Sequence, residues 1–302
     1  MDLDEHRPAL LAHCYRMLGS PFDAEDAVQE TFLRAWRARA AYDPSRPLRA
    51  WLHAIATNVC LDALRSSGRR FGPLRGDPSA PGPDVGAPLP ETAWVLPAPT
   101  DPALEVEERA AVRYAFVVAL QALPPRQRAV LLLRDVLGWS AAEVAGLLSS
   151  SVASVNSALQ RARAGLVGAE PVGEPDQAVL DAYCAAFLAH DVDAVVSLLH
   201  ADVTMSMPPF QWWLRGRSDV ALALEHGSYC DGHTLVPVSA NGAPAFVQYD
   251  AAGEAFALVV VSTSGGAVVG TTTWLVPELV PLFGLPMSSG SPVRSSGYGT
   301  DR

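Results

Sequence analysis

The sequence predicts a multidomain protein: two all-α domains followed by a mixed α+β domain. Three observations predict this division of the 302 residues. Apolar residues recur at helical spacing through residues 7–70 and again through 108–168. Between these stretches, residues 71–107 are rich in proline, glycine and acidic side chains, a composition typical of a linker. Beyond residue 174, two helical patterns precede alternating strand patterns that are separated by glycine-containing turns.

Charge is divided unevenly along the chain, whose formal net charge is −10. Residues 1–76 and 109–169 carry net charges of +2 and +5, whereas residues 77–108 and 170–302 carry −7 and −10. All 22 basic residues are arginine. The basic charge therefore lies on the two helical segments, where contacts with nucleic-acid phosphates would need it.

Several classes of protein are excluded by composition. The N-terminus lacks the apolar core of a signal peptide, and no stretch is long enough to span a membrane, so we expect a cytoplasmic protein with no membrane contact. The cysteines are scattered without a C-x-x-C motif and are expected to be small buried side chains in a reducing compartment. We therefore expect no metal site and no cofactor.

The first helical domain is predicted to contain three helices. They are expected over Pro8–Leu18, residues 22–40 and Pro47–Arg70, with a break at Gly19. The second helix begins with acidic residues and ends with arginines, an order that complements the helix dipole. Its predicted apolar stripe includes Trp36, which is interpreted as a core residue, as is Trp51 of the third helix.

The second helical domain has the pattern of a helix-turn-helix. A helix over Arg126–Leu137 ends at Gly138, and Ser140 and Glu143 form an S-x-x-E capping box that opens a short helix. A break at the serines 149–151 leads to a last helix with a polar outer face: Asn156, Ser157, Gln160, Arg161 and Arg163. Such side chains can read base edges in the major groove. The alternative is an ordinary helical bundle with a solvated face.

The C-terminal segment is expected to form two helices, Asp176–His190 and Asp191–His200, and then a curved antiparallel sheet. Candidate pocket residues are Tyr183, Met207, Trp212, Trp213, His226 and Trp274. Catalysis needs a desolvated acid or base with a partner. Only His200 and Asp202 are close in sequence, and a structural role is the simpler interpretation, so no catalytic residue is predicted.

Two motifs carry a specific resemblance. DAEDAVQETFLRAW, followed by RAWLHAIATNVCLDALR, resembles region 2 of extracytoplasmic-function (group 4) sigma factors of bacterial RNA polymerase. LPPRQRAVLLLRDVLGWSAAEV, followed by VNSALQRARAGL, is similar to their region 4. The order of motifs after residue 190 is similar to the SnoaL-like (nuclear-transport-factor-2-like, NTF2-like) α+β cone. The implied organisation is region 2 (1–70), a linker (71–107), region 4 (108–168), a SnoaL-like domain (174–285) and a disordered tail (286–302).

The resemblance implies roles for individual residues. The residues implied in binding core RNA polymerase are Asp23, Asp26, Gln29 and Glu30. Those implied in reading and opening the −10 promoter element are Arg49, His53, Asn58, Arg65, Arg69 and Arg70, with a flipped base beside the loop 42–47. Those implied in reading the −35 element are Ser154, Asn156, Ser157, Gln160 and Arg161. Ala158 replaces the second arginine usual on that face, which puts the −35 base preference in doubt.

The linker contains an apolar island, Trp94, Leu96 and Pro97, within a W-L-x-P-x-P-like motif that related sigma factors with C-terminal extensions carry. We expect it to dock on a domain, because an exposed tryptophan is costly; the alternative is a loosely packed segment. The acidic C-terminal domain is expected to regulate the sigma regions in cis, by competing with DNA or by holding them closed. Two other hypotheses are a DNA-binding regulator that works without polymerase, and a ligand-sensing or enzymatic fusion whose C-terminal pocket binds an unknown small molecule.

Overall fold

The computed structural model describes residues 3–66, 68–100, 113–166, 176–226 and 232–289. The chain divides into two compact units. The helical unit comprises residues 1–72 and 92–170, and the sheet unit comprises residues 73–91 and 171–302. The predicted linker therefore belongs to neither unit alone, because its residues 73–91 belong to the sheet unit and its next residues return to the helical unit.

The first half of the helical unit contains three helices: Arg7–Leu18 (α1), Pro21–Ala38 (α2) and Leu48–Ala63 (α3). Gly19 ends α1 with a left-handed φ of 74°, a conformation that glycine adopts without strain. Ser20 then caps α2 by accepting the backbone N–H of Asp23 at 3.3 Å. The prediction that the third helix extends to Arg70 is wrong, since α3 ends at Ala63 and a turn follows.

The second half contains four described helices: Tyr114–Gln121 (α4), Pro125–Leu131 (α5), Ala141–Leu147 (α6) and Val152–Gly165 (α7). A π-helical turn, Leu132–Val136, continues α5. The predicted capping box is confirmed, because Ser140 accepts the N–H of Glu143 while the Glu143 carboxylate accepts that of Ser140. Ser151 caps α7 by accepting the backbone N–H of Ser154 at 3.1 Å.

One apolar core joins the two halves of the helical unit. Its fully buried side chains include Leu10, Met17, Leu52, Leu120 and Leu132. The interpretation of Trp36 as a core residue is wrong, since 60% of this residue is exposed. The two halves thus share a core, as the parts of a single domain do.

The sheet unit combines helices with a six-stranded sheet. Its described elements after residue 175 are Gln177–Leu188 (α8), Val192–Leu198 (α9), Leu199–Ser206 (β1), Trp213–Arg215 (β2), Arg217–His226 (α10), Thr234–Ala240 (β3), Ala243–Tyr249 (β4), Ala255–Ser264 (β5) and Ala267–Trp274 (β6). The strand order is β2-β1-β6-β5-β4-β3, and only β1 and β6 run parallel among these pairs. The predicted α+β architecture is confirmed, but the prediction that the sheet is antiparallel is wrong for the β1–β6 pair. Asn241 and Gly242, with φ of 53° and 75°, make the tight β3–β4 turn.

Two boundaries of the sheet unit differ from the prediction. The second helix was expected to reach His200, but β1 begins at Leu199, so His200 lies in a strand. The tail was expected to be disordered from residue 286, whereas Tyr249 donates to the carbonyl of Pro286 at 2.8 Å and Ala255 donates to that of Met287. Residues 290–302 lie outside the described residues.

Among the described residues, none of the helices combines the length and the apolar character needed to cross a membrane. Those residues also contain no group of three or more His, Cys, Asp or Glu side chains able to hold a metal ion.

Candidate functional site

One face of α2 is open to solvent along several turns. Asp26 and Gln29 are exposed, and the same face continues with Leu33 (52% exposed) and Trp36 (60% exposed). These positions are three or four residues apart, so they form one row on the helix. The guanidinium of Arg39 lies 4.3 Å from the Trp36 ring centroid. Sequence reasoning missed Leu33 and Trp36, although their spacing from Asp26 places them on this row.

The other two acidic residues assigned to this surface are engaged in ion pairs. Asp23 accepts from the Arg70 guanidinium at 2.6 Å, and Glu30 accepts from Arg34 at 2.7 Å. Arg34 also donates to Asp62 of α3 at 3.1 Å, and its hydrogen bonds to both carboxylates raise the pKa of Arg34. The Arg34–Asp62 pair ties α2 to α3. Because Asp23 and Glu30 are engaged, Asp26 is the assigned carboxylate most available to a partner.

The residues assigned to the −10 element divide into exposed and buried groups. The exposed ones are Arg49, Asn58, Arg65 and Arg69. His53 is only 1% exposed and Arg70 is also buried, so the structure does not place these two side chains where they would face DNA. His53 Nδ1 lies 2.8 Å from the carbonyl of Arg49, and Arg70 donates to the carbonyl of Trp94 at 2.8 Å.

A buried histidine pair connects α1 with α3. The His13 and His53 rings lie 5.4 Å apart, and His13 Nε2 lies 3.0 Å from the Thr57 hydroxyl. Burial lowers the pKa of His53 to about 4 and lowers that of His13 well below its ordinary value. Both rings are therefore neutral near pH 7.

The loop before α3 is ordered by its own contacts. The Tyr42 ring lies 4.9 Å from the Trp51 ring, and its hydroxyl donates to the carbonyl of Arg46 at 2.7 Å. Asp43 accepts the N–H of Ser45 at 3.0 Å, a hydrogen bond that lowers the pKa of its carboxyl. The structure therefore places an aromatic pair beside a hydrogen-bonded turn at the start of α3.

The outer face of α7 presents every residue assigned to the −35 element. Ser154, Asn156, Ser157, Gln160 and Arg161 are all exposed. The opposite face buries Val155, Leu159 and Ala162 in the core of the helical unit. Arg163 is held by Asp135 through two hydrogen bonds of 2.9 and 2.7 Å, which raise the pKa of Arg163.

The C-terminal end of α1 is bound by side chains from α4 and α5. Gln121 donates to the carbonyl of Arg16 at 3.1 Å, and Arg128 donates to the carbonyl of Met17 and to the Gln121 side chain. Arg128 also donates to the carbonyl of Leu123 at 3.1 Å. Burial lowers the pKa of Arg128 to about 10, so it remains charged at neutral pH. We call this contact between α1 and α4–α5 the joint.

The apolar island of the linker lies at the joint. Trp94, Leu96 and Pro97 are buried, so this island is docked as expected. Backbone groups of residues 93–96 hold it to both halves of the unit: Leu96 N–H to Gly19 O (2.9 Å), Tyr15 hydroxyl to Leu96 O (2.8 Å), Val95 N–H to Phe71 O (2.8 Å), Phe71 N–H to Ala93 O (2.8 Å) and Tyr114 hydroxyl to Val95 O (2.7 Å). The island therefore bridges α1 and α4.

The candidate pocket residues of the sheet unit are only partly brought together. Tyr183, Met207 and Trp212 pack into one apolar core, and the Tyr183 ring lies 6.2 Å from that of Phe187. Trp213 instead bonds to linker residues of its own unit, and Trp274 is buried at the end of β6. His226 is the last residue of α10, and its side chain lies outside the described residues.

Comparison with known proteins identifies the family. The Sigma-70 region 2 family matches residues 3–70, and the Sigma-70 region 4 family matches residues 113–166. The ECF RNA polymerase sigma factor SigG of Mycobacterium tuberculosis is 43% identical over 94% of this chain and 83% of that protein. The chain belongs to the ECF sigma factors.

Two further comparisons extend to the architecture of this sigma factor. SigJ of Mycobacterium tuberculosis is 37% identical over 66% of this chain and 62% of that protein. The crystal structure of SigJ superposes with a TM-score of 0.61 and 26% identity, covering 94% of this chain and 98% of that one. In this sigma factor, α1–α3 form region 2, α4–α7 form region 4, and the sheet unit has the mixed α+β architecture that was expected of a SnoaL-like domain.

Proposed function

We propose that this sigma factor binds core RNA polymerase in the cytoplasm, directs it to promoters, and is regulated in cis by its SnoaL-like sheet unit. The observation that carries the regulatory part is the joint, which fastens region 2 to region 4 through buried hydrogen bonds. The protein performs no covalent chemistry in this proposal. The protein recognises promoter DNA and helps to open it.

Polymerase binding is assigned to the exposed row on α2. Asp26 and Gln29 supply polar groups, and Leu33 and Trp36 supply exposed apolar area next to them. Exposed apolar patches of this kind mark protein interaction sites, and tryptophan is enriched where binding energy is concentrated. Asp23 and Glu30 lie at the edge of this row, where each forms an ion pair with an arginine.

Recognition of the −10 element is assigned to the exposed arginines around α3 and to the loop before it. Arg49, Arg65 and Arg69 supply positive charge for a DNA strand. The Tyr42 and Trp51 rings offer aromatic faces beside the turn, suited to an unstacked base. His53 and Arg70 are buried and are assigned to the structure of region 2 instead.

Recognition of the −35 element by α7 gives a direct prediction. Replacing Arg161 by alanine should lower transcription from a promoter with a −35 element by about tenfold, since a bidentate base contact contributes about 1–3 kcal/mol. Arg163→Ala is the matched control, because it removes the same charge from the same helix at a position paired with Asp135. Equal loss in both variants would show that α7 contributes only general positive charge.

Promoter geometry indicates that the joint must open. The −35 and −10 elements lie about 25 base pairs apart, or about 85 Å at about 3.4 Å per base pair. A compact unit of about 150 residues has a radius of gyration of about 15 Å. Region 2 and region 4 therefore cannot reach both elements while the joint keeps them in one compact unit. The closed joint is an inactive arrangement in this proposal.

In vitro transcription with purified core polymerase and a promoter library tests the proposal. The full-length protein and a 1–170 truncation should both give specific transcripts, and the truncation should give more because the sheet unit no longer stabilises the closed joint. Equal yields would refute regulation in cis. Absence of specific initiation by both forms, with a core enzyme that is active with another sigma factor, would refute the sigma-factor activity itself.

A further inference from the structure

Two cysteine thiols lie close together in the core of region 2. Cys14 is on α1 and Cys60 is on α3, and both are fully buried free thiols. His13, the residue before Cys14, has its Nε2 atom 3.0 Å from the hydroxyl of Thr57, which is one turn before Cys60. This contact brings the two cysteines to the same level of the α1–α3 helix pair.

The two thiols interact, and their surroundings keep them unreactive. Burial, the largest effect, and a hydrogen bond with Cys14 raise the pKa of the Cys60 thiol well above its ordinary value. The thiolate is the form of cysteine that reacts with oxidants, and burial in apolar surroundings disfavours it. The pair is therefore inert for as long as this part of the core stays covered.

Part of that cover comes from region 4. Helix α5 packs against both α1 and α3, and the guanidinium of Arg128 at the joint interacts electrostatically with Cys60. The buried side chains of these three helices belong to one apolar core. Opening of the joint therefore removes one wall of the site that holds the two thiols and admits water to it.

Opening of the joint also leaves region 2 with an incomplete core. Leu52 of α3 is buried in the same core as Leu132 of region 4, so the α1–α3 contact loses apolar partners when region 4 leaves. A disulfide between neighbouring helices limits their separation and restricts the unfolded chain. A bond between Cys14 and Cys60 is therefore suited to hold α1 against α3 in the open form.

We propose that Cys14 and Cys60 form an oxidation site for hydrogen peroxide, which region 4 shields in the closed joint and which reacts in the open form. The site rests on the proposed function, because it needs the joint to open. One thiol, reacting as its thiolate, attacks a peroxide oxygen, so that the O–O bond breaks, a sulfenic acid forms and water leaves. The second sulfur then attacks the sulfenic sulfur, forms the S–S bond and releases a second water. The two sulfurs together lose two electrons, which the peroxide takes up.

Peroxide treatment of the full-length protein, followed by peptide mass spectrometry, tests this site. Arg128→Met removes the donor to the carbonyl of Met17 and so loosens the joint. Arg46→Met is the matched control, since the Arg46 side chain is 81% exposed. The Cys14–Cys60 disulfide should form at least tenfold faster in Arg128→Met than in the wild type or the control, and dithiothreitol should reverse it.

The pattern of disulfides separates opening of the joint from unfolding of the chain. An open joint gives the Cys14–Cys60 bond alone, whereas an unfolded chain would also form disulfides with Cys184 and Cys230. A mixture of disulfides in a variant that keeps its helical circular dichroism would overturn the proposal. Equal rates of Cys14–Cys60 bond formation in Arg128→Met and the wild type would do the same.

A second variant decides the matter if Arg128→Met loses its helical structure. Gln121→Leu removes the donor to the carbonyl of Arg16, which is a different hydrogen bond of the joint. The expected rise in the rate of disulfide formation is again at least tenfold. No rise in a folded Gln121→Leu protein would refute the shielding of the thiols by region 4.

Failure of the proposed function would be seen separately, because oxidation needs no polymerase. Faster disulfide formation in the joint variants, without promoter-specific transcripts, would support the oxidation site and refute the proposed function. Specific transcripts, with no Cys14–Cys60 disulfide in either joint variant, would refute the oxidation site and leave the function standing.

Discussion

Replacing Arg128 by methionine is expected to lower the free energy of unfolding of the helical unit by about 3–4 kcal/mol. Arg128 is 3% exposed and donates to the carbonyls of Met17 and Leu123 and to the Gln121 side chain. Methionine fills a similar volume but leaves these buried acceptors without their donor, and an unsatisfied buried acceptor costs more than a hydrogen bond contributes. The loss should fall on the joint, which holds region 4 against region 2.

Urea unfolding followed by far-ultraviolet circular dichroism, which reports mainly on the helices, measures this effect. Arg46→Met is the control, since the Arg46 side chain is 81% exposed and its nearest carboxylate is 3.9 Å away. We expect that control to change the unfolding free energy by less than about 0.5 kcal/mol. A loss of under 1 kcal/mol in Arg128→Met would mean that water replaces the lost donor and that the joint does not depend on this side chain.

The local structure of both sigma regions could be predicted because its signals are local. The capping box of Ser140 and Glu143 needs only residues three apart, and the glycine that ends a helix acts on its own turn. The exposed face of α7 follows from helical periodicity, since the apolar stripe fixes which side chains face outward. For the same reason the α+β pattern of the last domain could be read from alternating strands and their turns.

The environments of His53, Arg70 and Trp36 could not be predicted, because they depend on which helix packs against which. His53 lies one turn from Arg49 and would face solvent on an isolated helix, but α1 covers it with His13. The helix α3 ends before Arg70, and the Arg70 side chain points inward to form an ion pair with Asp23. Trp36 was interpreted as core because it was included in the apolar stripe of α2, but the packing of the helices leaves 60% of it exposed.

The structure of the linker could not be predicted for a different reason. Composition identifies residues 71–107 as unable to form a core, which is correct for the segment in isolation. Composition does not indicate that another part of the chain can supply the partner. An edge strand much later in the chain provides the missing hydrogen bonds, as between Ser79 and Trp213, which are 134 residues apart and 2.7 Å from N–H nitrogen to carbonyl oxygen. The division of the linker between the two units follows from such long-range pairing.

Acid is expected to destabilise the helical unit through the buried histidine pair. The pKa of His53 is about 4 in the folded protein, below the ordinary value of 6.5, so the unfolded chain binds a proton more readily. The stability that the neutral ring contributes is present in full above pH 6.5 and is lost as the pH falls from there through 4. His53 alone should cost about 3 kcal/mol between pH 7 and pH 4, at about 1.36 kcal/mol per pKa unit.

His13 changes stability in the same direction, because its pKa is lowered by burial, by His53 and by Arg16. Burial and the charges of Arg49, Arg16 and His6 disfavour a proton on His53, and the hydrogen bond to the Arg49 carbonyl, which favours it, does not outweigh them. Urea unfolding at pH 7, 6, 5 and 4.5 should show stability falling most steeply below pH 6. In the double variant His13→Gln/His53→Asn, chosen because the amides can replace the contacts to Thr57 and the Arg49 carbonyl, this part of the decline should disappear while that from carboxylates remains. An unchanged pH profile in the double variant would show that acid acts elsewhere and that these rings stay accessible to protons in the folded state.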